Sequence, residues 1–348
     1  MLAQRNWCGY TSVYVDITPF ANFGSDVNVI AVQVDAVSEE GWWYEGAGLY
    51  RQAWLVKRSP VHIETDGIFA NPIRQPNGKW TLPVEATLYS SDNASADVEV
   101  ESTLIAPSGQ VVKSGRTKIT VEPLKESVAK FALAVASPEM WSLERPALYS
   151  VRTVVKREGK IVDETITHSG FRTIRFDADK GFFLNDRPVK LQGTCNHQDM
   201  AGVGVAVPDS LWDFRVRRVK EMGANANRCA HNPPAAEYLD ACDRLGMLVM
   251  DENRNFGSSP EYLKQLDWMV RRDRNHPSII LSRRAPTLIL AGDRLVLWVH
   301  GSVRLSQNGI LDSSGAVDYQ SSDSASCAAL ELGGQRRQTH QGVCGRQR

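Results

Sequence analysis

Ala224-Asn225-Ala226-Asn227-Arg228-Cys229-Ala230-His231-Asn232-Pro233-Pro234 reads as a short strand that runs into a polar turn just before two prolines start a helix. Arg228, His231 and Asn232 crowd hydrogen-bonding groups into that turn. Buried strands do not usually end in that much hydrogen-bonding capacity unless a polar ligand sits above them. The same polarity closes the preceding apolar strand, at 193–199, and the following one, at 250–255. Three successive strand ends are therefore expected to face one place.

Outward from this stretch, strands and helices alternate. Strands are expected over 189–194, 224–230, 247–250 and 278–281. Helices are expected over 208–222, with Asp209 near the start and Gly223 at the end, over 233–245, closed by Gly246, and over 260–274. Short joins between alternating strands and helices mean parallel strands with helical crossovers. Polar clusters at the C-terminal ends of such strands are where a β/α barrel carries its chemistry. Phe182-Phe183-Leu184-Asn185-Asp186-Arg187-Pro188 reads as a hairpin entering this domain.

Upstream the pattern is β. Strands over 84–89, 96–105, 110–119, 127–134 and 149–156, divided by Pro, Gly, Asn and Asp turns, predict an immunoglobulin-like sandwich. Within 9–57, Ser12-Val13-Tyr14-Val15-Asp16-Ile17 and Val27-Asn28-Val29-Ile30-Ala31-Val32-Gln33-Val34 read as two more strands. A β unit this short is small for two full sheets, so the chain is expected to begin inside a domain. Gly41-Trp42-Trp43-Tyr44-Glu45-Gly46-Ala47-Gly48-Leu49-Tyr50-Arg51 packs aromatics among glycines. Either Trp42 or Trp43 stacks a sugar ring, or these aromatics seal the end of a sandwich against its neighbour.

The 348 residues suffice for two or three domains, and 42% hydrophobic with 23% charged residues is a globular composition. Lys+Arg and Asp+Glu are equal at 40 each, which supplies no field to draw nucleic acid or an anionic membrane and suits a neutral substrate. The 6 cysteines are scattered and read as free thiols. No apolar run approaches the ~18 residues of a membrane span. No signal-peptide core follows Met1, so a cytoplasmic location is expected if Met1 is the true start. Nothing in the pattern specifies an oligomeric state.

The spacing Asn225, Arg228, Cys229-Ala230, His231, Asn232, Pro233, then Asp243, Gly246 and the apolar run 247–250, resembles a signature of glycoside hydrolase family 2. This family contains the retaining β-galactosidases, β-mannosidases and β-glucuronidases. Asn232 stands where the family commonly has tyrosine. Gly193-Thr194-Cys195-Asn196-His197-Gln198-Asp199 resembles the family's first barrel strand end, Asp251-Glu252-Asn253 its third, and residues 43–51 the closing motif of its jelly roll. The resemblance spans about 9–281. Asn196-His197-Gln198-Asp199 followed by Ala-Gly-Val-Gly-Val-Ala looks most like β-galactosidases. It implies the C-terminal part of a sugar-binding jelly roll over 1–58, the immunoglobulin-like sandwich over 59–175, the N-terminal half of a (β/α)8 TIM barrel over 176–281, and an unrelated tail over 282–348. The implied reaction is retaining hydrolysis of terminal β-D-galactosides, with a β-galactoside or related carbohydrate as partner and no cofactor.

His197 and His231 can donate to sugar hydroxyls, Arg228 offers a fixed fork of donors for a carboxylate, and Glu252 can hold a hydroxyl or tune a neighbouring acid. With Asp199, Asn232 and Asn253 these are the expected substrate-binding residues. Cys195-X-His197 and Cys229-X-His231 also raise a zinc reading, which the convergence of strand ends on one ion disfavours. The family's magnesium ligands have no counterpart in Asn253-Arg254-Asn255-Phe256, so no metal is expected.

Retaining hydrolysis needs two carboxyl groups ~5–5.5 Å apart. In the family the acid/base glutamate ends Trp-Ser-X-Gly-Asn-Glu after an Asn-His-Pro-Ser signature. Here Asp273-Arg274-Asn275-His276-Pro277-Ser278-Ile279-Ile280-Leu281 leads instead to Ser282-Arg283-Arg284-Ala285-Pro286, and no catalytic residue is expected. Lysine is absent from 282–348 while arginine persists, which points to a frame shift after Leu281. A barrel half of four strands should then expose an unpaired sheet edge, with poor solubility or partial disorder beyond about Phe176. A non-catalytic sugar-binding remnant and a pseudogene product are the alternatives to an enzyme.

Overall fold

The computed structural model describes residues 8–24, 26–34, 48–255, 257–284, 287–290 and 296–298. Strands β1 (Val61–Ala70), β2 (Ile73–Arg74), β3 (Trp80–Ser90) and β6 (Glu126–Val135) form one antiparallel sheet, with β3 paired to the other three. Strands β4 (Ala96–Ile105), β5 (Val111–Val121), β7 (Tyr149–Arg157) and β8 (Lys160–Ser169) form a second, in the order β5-β4-β7-β8. Strict alternation drives the packing. In β4, Ala96, Val98, Val100 and Leu104 point inward, where they meet Leu82, Val84, Ala86 and Leu88 of β3 in one continuous core. The five expected strands are present, each bound within four residues of its expected place. β1, β2 and β8 were not anticipated.

The two strands expected near the N-terminus do not form. Among the described residues before Val61 the regular structure is a single 3-10 turn, Thr18–Phe20, and Val27, Val29 and Ile30 are 78%, 85% and 73% exposed. Alternation makes a strand only where a second strand supplies ladder hydrogen bonds, and none lies beside these segments among the described residues. Trp42 and Trp43 fall outside the described residues.

Strands β9 (Ile174–Asp177), β10 (Gly181–Leu184) and β11 (Arg187–Pro188) make a small antiparallel sheet leading out of the sandwich. The expected hairpin is there: Leu184 pairs with Arg187, and the turn residues Asn185 and Asp186 take φ of 54° and 63°, as a two-residue hairpin requires. Next come β12 (Gly193–Asn196), α1 (Asp209–Glu221), β13 (Ala226–Cys229), α2 (Ala236–Leu245), β14 (Leu248–Glu252), α3 (Pro260–Asp273) and β15 (Ile279–Arg284). β12 to β15 are parallel neighbours in sequence order, the first part of a TIM-barrel-like sheet. Gly246 ends α2 in the left-handed conformation at φ 69°, and Ser259 caps α3 by accepting the Tyr262 N–H.

The far edge of this sheet is not left open at β15. Strands β16 (Thr287–Leu290) and β17 (Val296–Trp298) continue it antiparallel, with Leu281 opposite Leu290 and Leu288 opposite Leu297. β15 itself runs through Arg284, three residues past the expected boundary at 281, before the sheet continues into β16 and β17. A connection too short for a crossover helix can only return antiparallel.

The sandwich sits against the N-terminal ends of the parallel strands. Trp141 donates its indole N–H to the Asp243 carbonyl at 2.9 Å, and the Asn275 side chain accepts from Ala70 N at 2.9 Å and donates to Ile68 O at 2.8 Å. The Lys220 ammonium reaches the carbonyls of Leu143, Leu245 and Gly246. The C-terminal strand ends are left on the other side. No helix among the described residues is long and apolar enough to cross a membrane.

Candidate functional site

Parallel register decides which side chains meet. Cys195 lies opposite Arg228, and Arg228 opposite Met250, so these three share the face of the sheet away from the helices. Glu252, two residues beyond Met250, is on the same face. Asn227, Cys229, Val249 and Asp251 point the other way, where Cys229 packs with Trp212 of α1 and Tyr238 of α2.

On the open face Arg228 grips Glu252 with a two-pronged bond, Nε to Oε2 at 2.6 Å and Nη2 to Oε1 at 2.8 Å. His231 Nδ1 lies 3.0 Å from Arg228 Nη2 and 3.3 Å from Glu252 Oε1. The His197 and His231 rings meet edge to face, centroids 5.3 Å apart at 78°. Arg228 Nη1 points at the exposed Cys195 thiol, 3.8 Å away. The Glu252 side chain is 1% exposed and that of Arg228 24%, so the pair is sheltered but reachable from the mouth. Burial works against the Arg228 charge, and the Glu252 hydrogen bonds overcome it, so its pKa lies above the ordinary arginine value. The His231 pKa lies below 6.5 because burial, Arg228 and His197 outweigh the pull of Glu252. At neutral pH His231 is an uncharged ring.

Not every expected residue joins this group. Asn253 is fully buried and donates to Asn255 O at 3.1 Å, which turns it into its own loop. Asn232 is 5% exposed and lines a small recess with Trp212, Arg215 and Tyr238 behind the strand ends, which His197 also borders. Asp199 is half-buried beside His197, its carbonyl held by Arg215. Asp251, adjacent to Glu252 in sequence, is sealed beneath α3, where burial and the Asp273 charge push its pKa well above the ordinary carboxylate value.

Two arginines were not among the expected site residues, although Arg51 ends the 43–51 motif. Arg51 donates from Nη2 to Gln198 Oε1 at 3.1 Å and to Pro233 O at 2.8 Å, and from Nη1 to Tyr10 O at 2.9 Å. Arg215 of α1 donates to the carbonyls of His197, at 2.8 Å, and Asp199. Four of these five bonds end on backbone carbonyls, which carry no residue identity, so no motif announces them; the fifth ends on the Gln198 side chain.

Asp240, Asp243 and His276 also offer ligand atoms within 4.8 Å of one another, but they lie at the sandwich end of the sheet. Asp243 Oδ2 is 2.6 Å from His276 Nδ1, and Oδ1 accepts the Ser278 N–H at 3.0 Å. Both carboxylate oxygens are committed, so the group is an ion pair that ties α2 to the start of β15.

Residues 61–172 match the sequence profile described as Glycosyl hydrolases family 2, and residues 177–260 match that of the family's TIM barrel domain. The chain is 35% identical over 327 residues to beta-galactosidase BoGH2A of Bacteroides ovatus, covering 86% of this chain and 38% of that protein. It is 31% identical over 291 residues to a beta-galactosidase of Thermoanaerobacter pseudethanolicus, covering 78% and 38% of the two chains. A crystal structure of a glycosyl hydrolase family 2 member from Bacteroides cellulosilyticus superposes with a TM-score of 0.72 at 32% identity, covering 79% of this chain and 38% of the other. A Bacteroides uniformis beta-glucuronidase superposes with a TM-score of 0.63 at 31% identity, over 68% and 30%. The chain thus spans 38% of the length of each of these two curated relatives.

Proposed function

The chain belongs to glycosyl hydrolases family 2, and from that premise we propose that its strand ends are the binding half of a β-galactosidase-like site, which holds a terminal β-D-galactoside without hydrolysing it. The observation that carries this reading is the Arg228–Glu252–His231 network, placed beside His197 at the C-terminal ends of adjacent parallel strands. Arg228 fixes the Glu252 carboxylate, whose remaining lone pairs can accept sugar hydroxyls, while His231, uncharged at neutral pH, and His197 supply ring nitrogens to the same space. Asp199, half-buried, belongs to the same turn as His197, and Asn232 and Asn253 support the turns from behind.

Charge balance favours a galactoside over a glucuronide, since the fork of Arg228 is spent on Glu252 and is not offered to a substrate carboxylate. Hydrolysis requires a pair of carboxyl groups, one acid and one nucleophile. Among the described carboxyls at these strand ends Glu252 is held by Arg228 and Asp251 is sealed beneath α3, which leaves Asp199 without a second free carboxyl to pair with, so the reading is binding without turnover. Saturable galactose binding by calorimetry, with no release of chromophore from a chromogenic β-galactoside, is the expected result. No binding at millimolar galactose, or measurable turnover, would overturn it.

A further inference from the structure

The distance between the His197 and His231 rings is a distance between two separate turns, one following β12 and the other following β13. Arg51 Nη2 bonds to both turns, to the Gln198 side chain in the first and to the Pro233 carbonyl in the second. Arg51 comes from the segment before the sandwich, 147 and 182 residues away in sequence from these partners. On the helix side, Arg215 of α1 holds the carbonyls of His197 and Asp199, which flank Gln198. His197 is therefore held through Gln198 by one arginine and through the main chain by another.

We propose that Arg51 and Arg215 are positioning residues that clamp the His197–Asp199 turn from two sides and set the spacing of the His197–His231 pair, so that the segment preceding the sandwich completes the sugar site without touching the sugar. A charged donor shared between two acceptors on different turns fixes their separation more firmly than two independent bonds, because moving either turn costs a charge-assisted hydrogen bond. Pre-set spacing raises affinity by removing the ordering cost from the binding step. The clamp rests on the reading of these strand ends as a sugar site, but its mechanical part can be tested without any sugar.

The test uses the full chain and the variants Arg51→Ala, Arg215→Ala and Gln198→Ala. The last of these severs the side-chain link while leaving both arginines in place, and serves where an arginine variant does not fold. Amide hydrogen exchange over 196–200 is expected to rise at least tenfold in each variant, while the strands of the sandwich exchange as in the wild type. The imidazole resonances of His197 and His231 should shift together. Galactose Kd by calorimetry should rise at least fivefold in each, and Arg51→Lys, which can keep one of the two Nη2 bonds, should fall between Arg51→Ala and the wild type. Exchange over 196–200 unchanged in Arg51→Ala and Gln198→Ala overturns the clamp, whatever the sugar does. Increased exchange in a protein that binds no galactose leaves the clamp standing and overturns the functional reading instead.

Discussion

Replacing His276 with glutamine tests the ion pair that ties the barrel helices to the sandwich end of the sheet. His276 Nδ1 lies 2.6 Å from Asp243 Oδ2, with side chains 15% and 3% exposed. Burial pushes the His276 pKa down, but the Asp243 carboxylate outweighs it and holds the value at about 9, against 6.5 for an ordinary histidine. The folded chain therefore binds one more proton than the unfolded chain between these values. Its unfolding free energy falls with rising pH there, by at most about 1.4 kcal/mol per pH unit. The contribution is complete below pH 6.5 and lost as pH passes about 9. A difference of that size converts to about 3 kcal/mol. His276→Gln should thus lose about 3 kcal/mol at pH 6 and less than about 1 kcal/mol near pH 9.5. Urea unfolding of both proteins, followed by tryptophan fluorescence at the two pH values, reads the difference. Thiols such as Cys229 and Cys242, which burial raises, also destabilise both proteins above about pH 8.5 and cancel in the subtraction. Equal losses at pH 6 and pH 9.5 would refute the ion-pair account.

Three further outcomes follow from the geometry. Glu252→Gln removes the charge between two Arg228 bonds, and should cost about 2 kcal/mol in denaturant unfolding. Because Glu252 pulls the His231 pKa upward, the NMR titration midpoint of His231 should drop in that variant, and a rise would contradict the assigned contact. Among the described cysteines Cys195 is exposed while Cys8, Cys229 and Cys242 are buried. A maleimide should label Cys195 first in peptide mapping, and prior labelling at Cys229 would mean that α1 and α2 do not cover β13 as described. Gly246→Ala adds a Cβ that would stand 2.4 Å from the Leu143 carbonyl, at a φ of 69°. The loss should be about 2 kcal/mol, and a change below about 0.5 kcal/mol would show that the sandwich yields at this point.

The Asn275-His276-Pro277-Ser278 run and Asp243 read in the sequence as parts of signatures that lead toward a catalytic strand. In the structure they serve the joint with the sandwich. Asn275 bonds the backbone of β1, Asp243 takes the His276 ring and the Ser278 N–H, and Pro277 would collide with any side chain at Gly170. A tight interface fixes residue types as firmly as chemistry does, and a sequence pattern alone does not distinguish the two.

What was legible in the sequence was local. The alternation from 189 to 281, the helix stop at Gly246, the Asn185-Asp186 turn and the inward faces of β3 and β4 depend on neighbouring residues and on period. Each appears within a few residues of where it was expected. The meeting of Arg228, His231 and His197 was also legible, since parallel strands with short joins deliver their C-terminal ends to one side. Tertiary structure decided the rest. It decided that the expected Asn253 turns into its own loop while Glu252 stays with Arg228 on the open face, because the parallel register and the chain beyond β14 set where each side chain goes. It decided that the alternating residues 12–17 and 27–34 form no strands, because a ladder needs a partner. It also decided that Arg51 and Arg215 hold the site turns, because a bond to a distant carbonyl or to a lone glutamine depends on the path of two chains through space and leaves no mark on the order of residues in either.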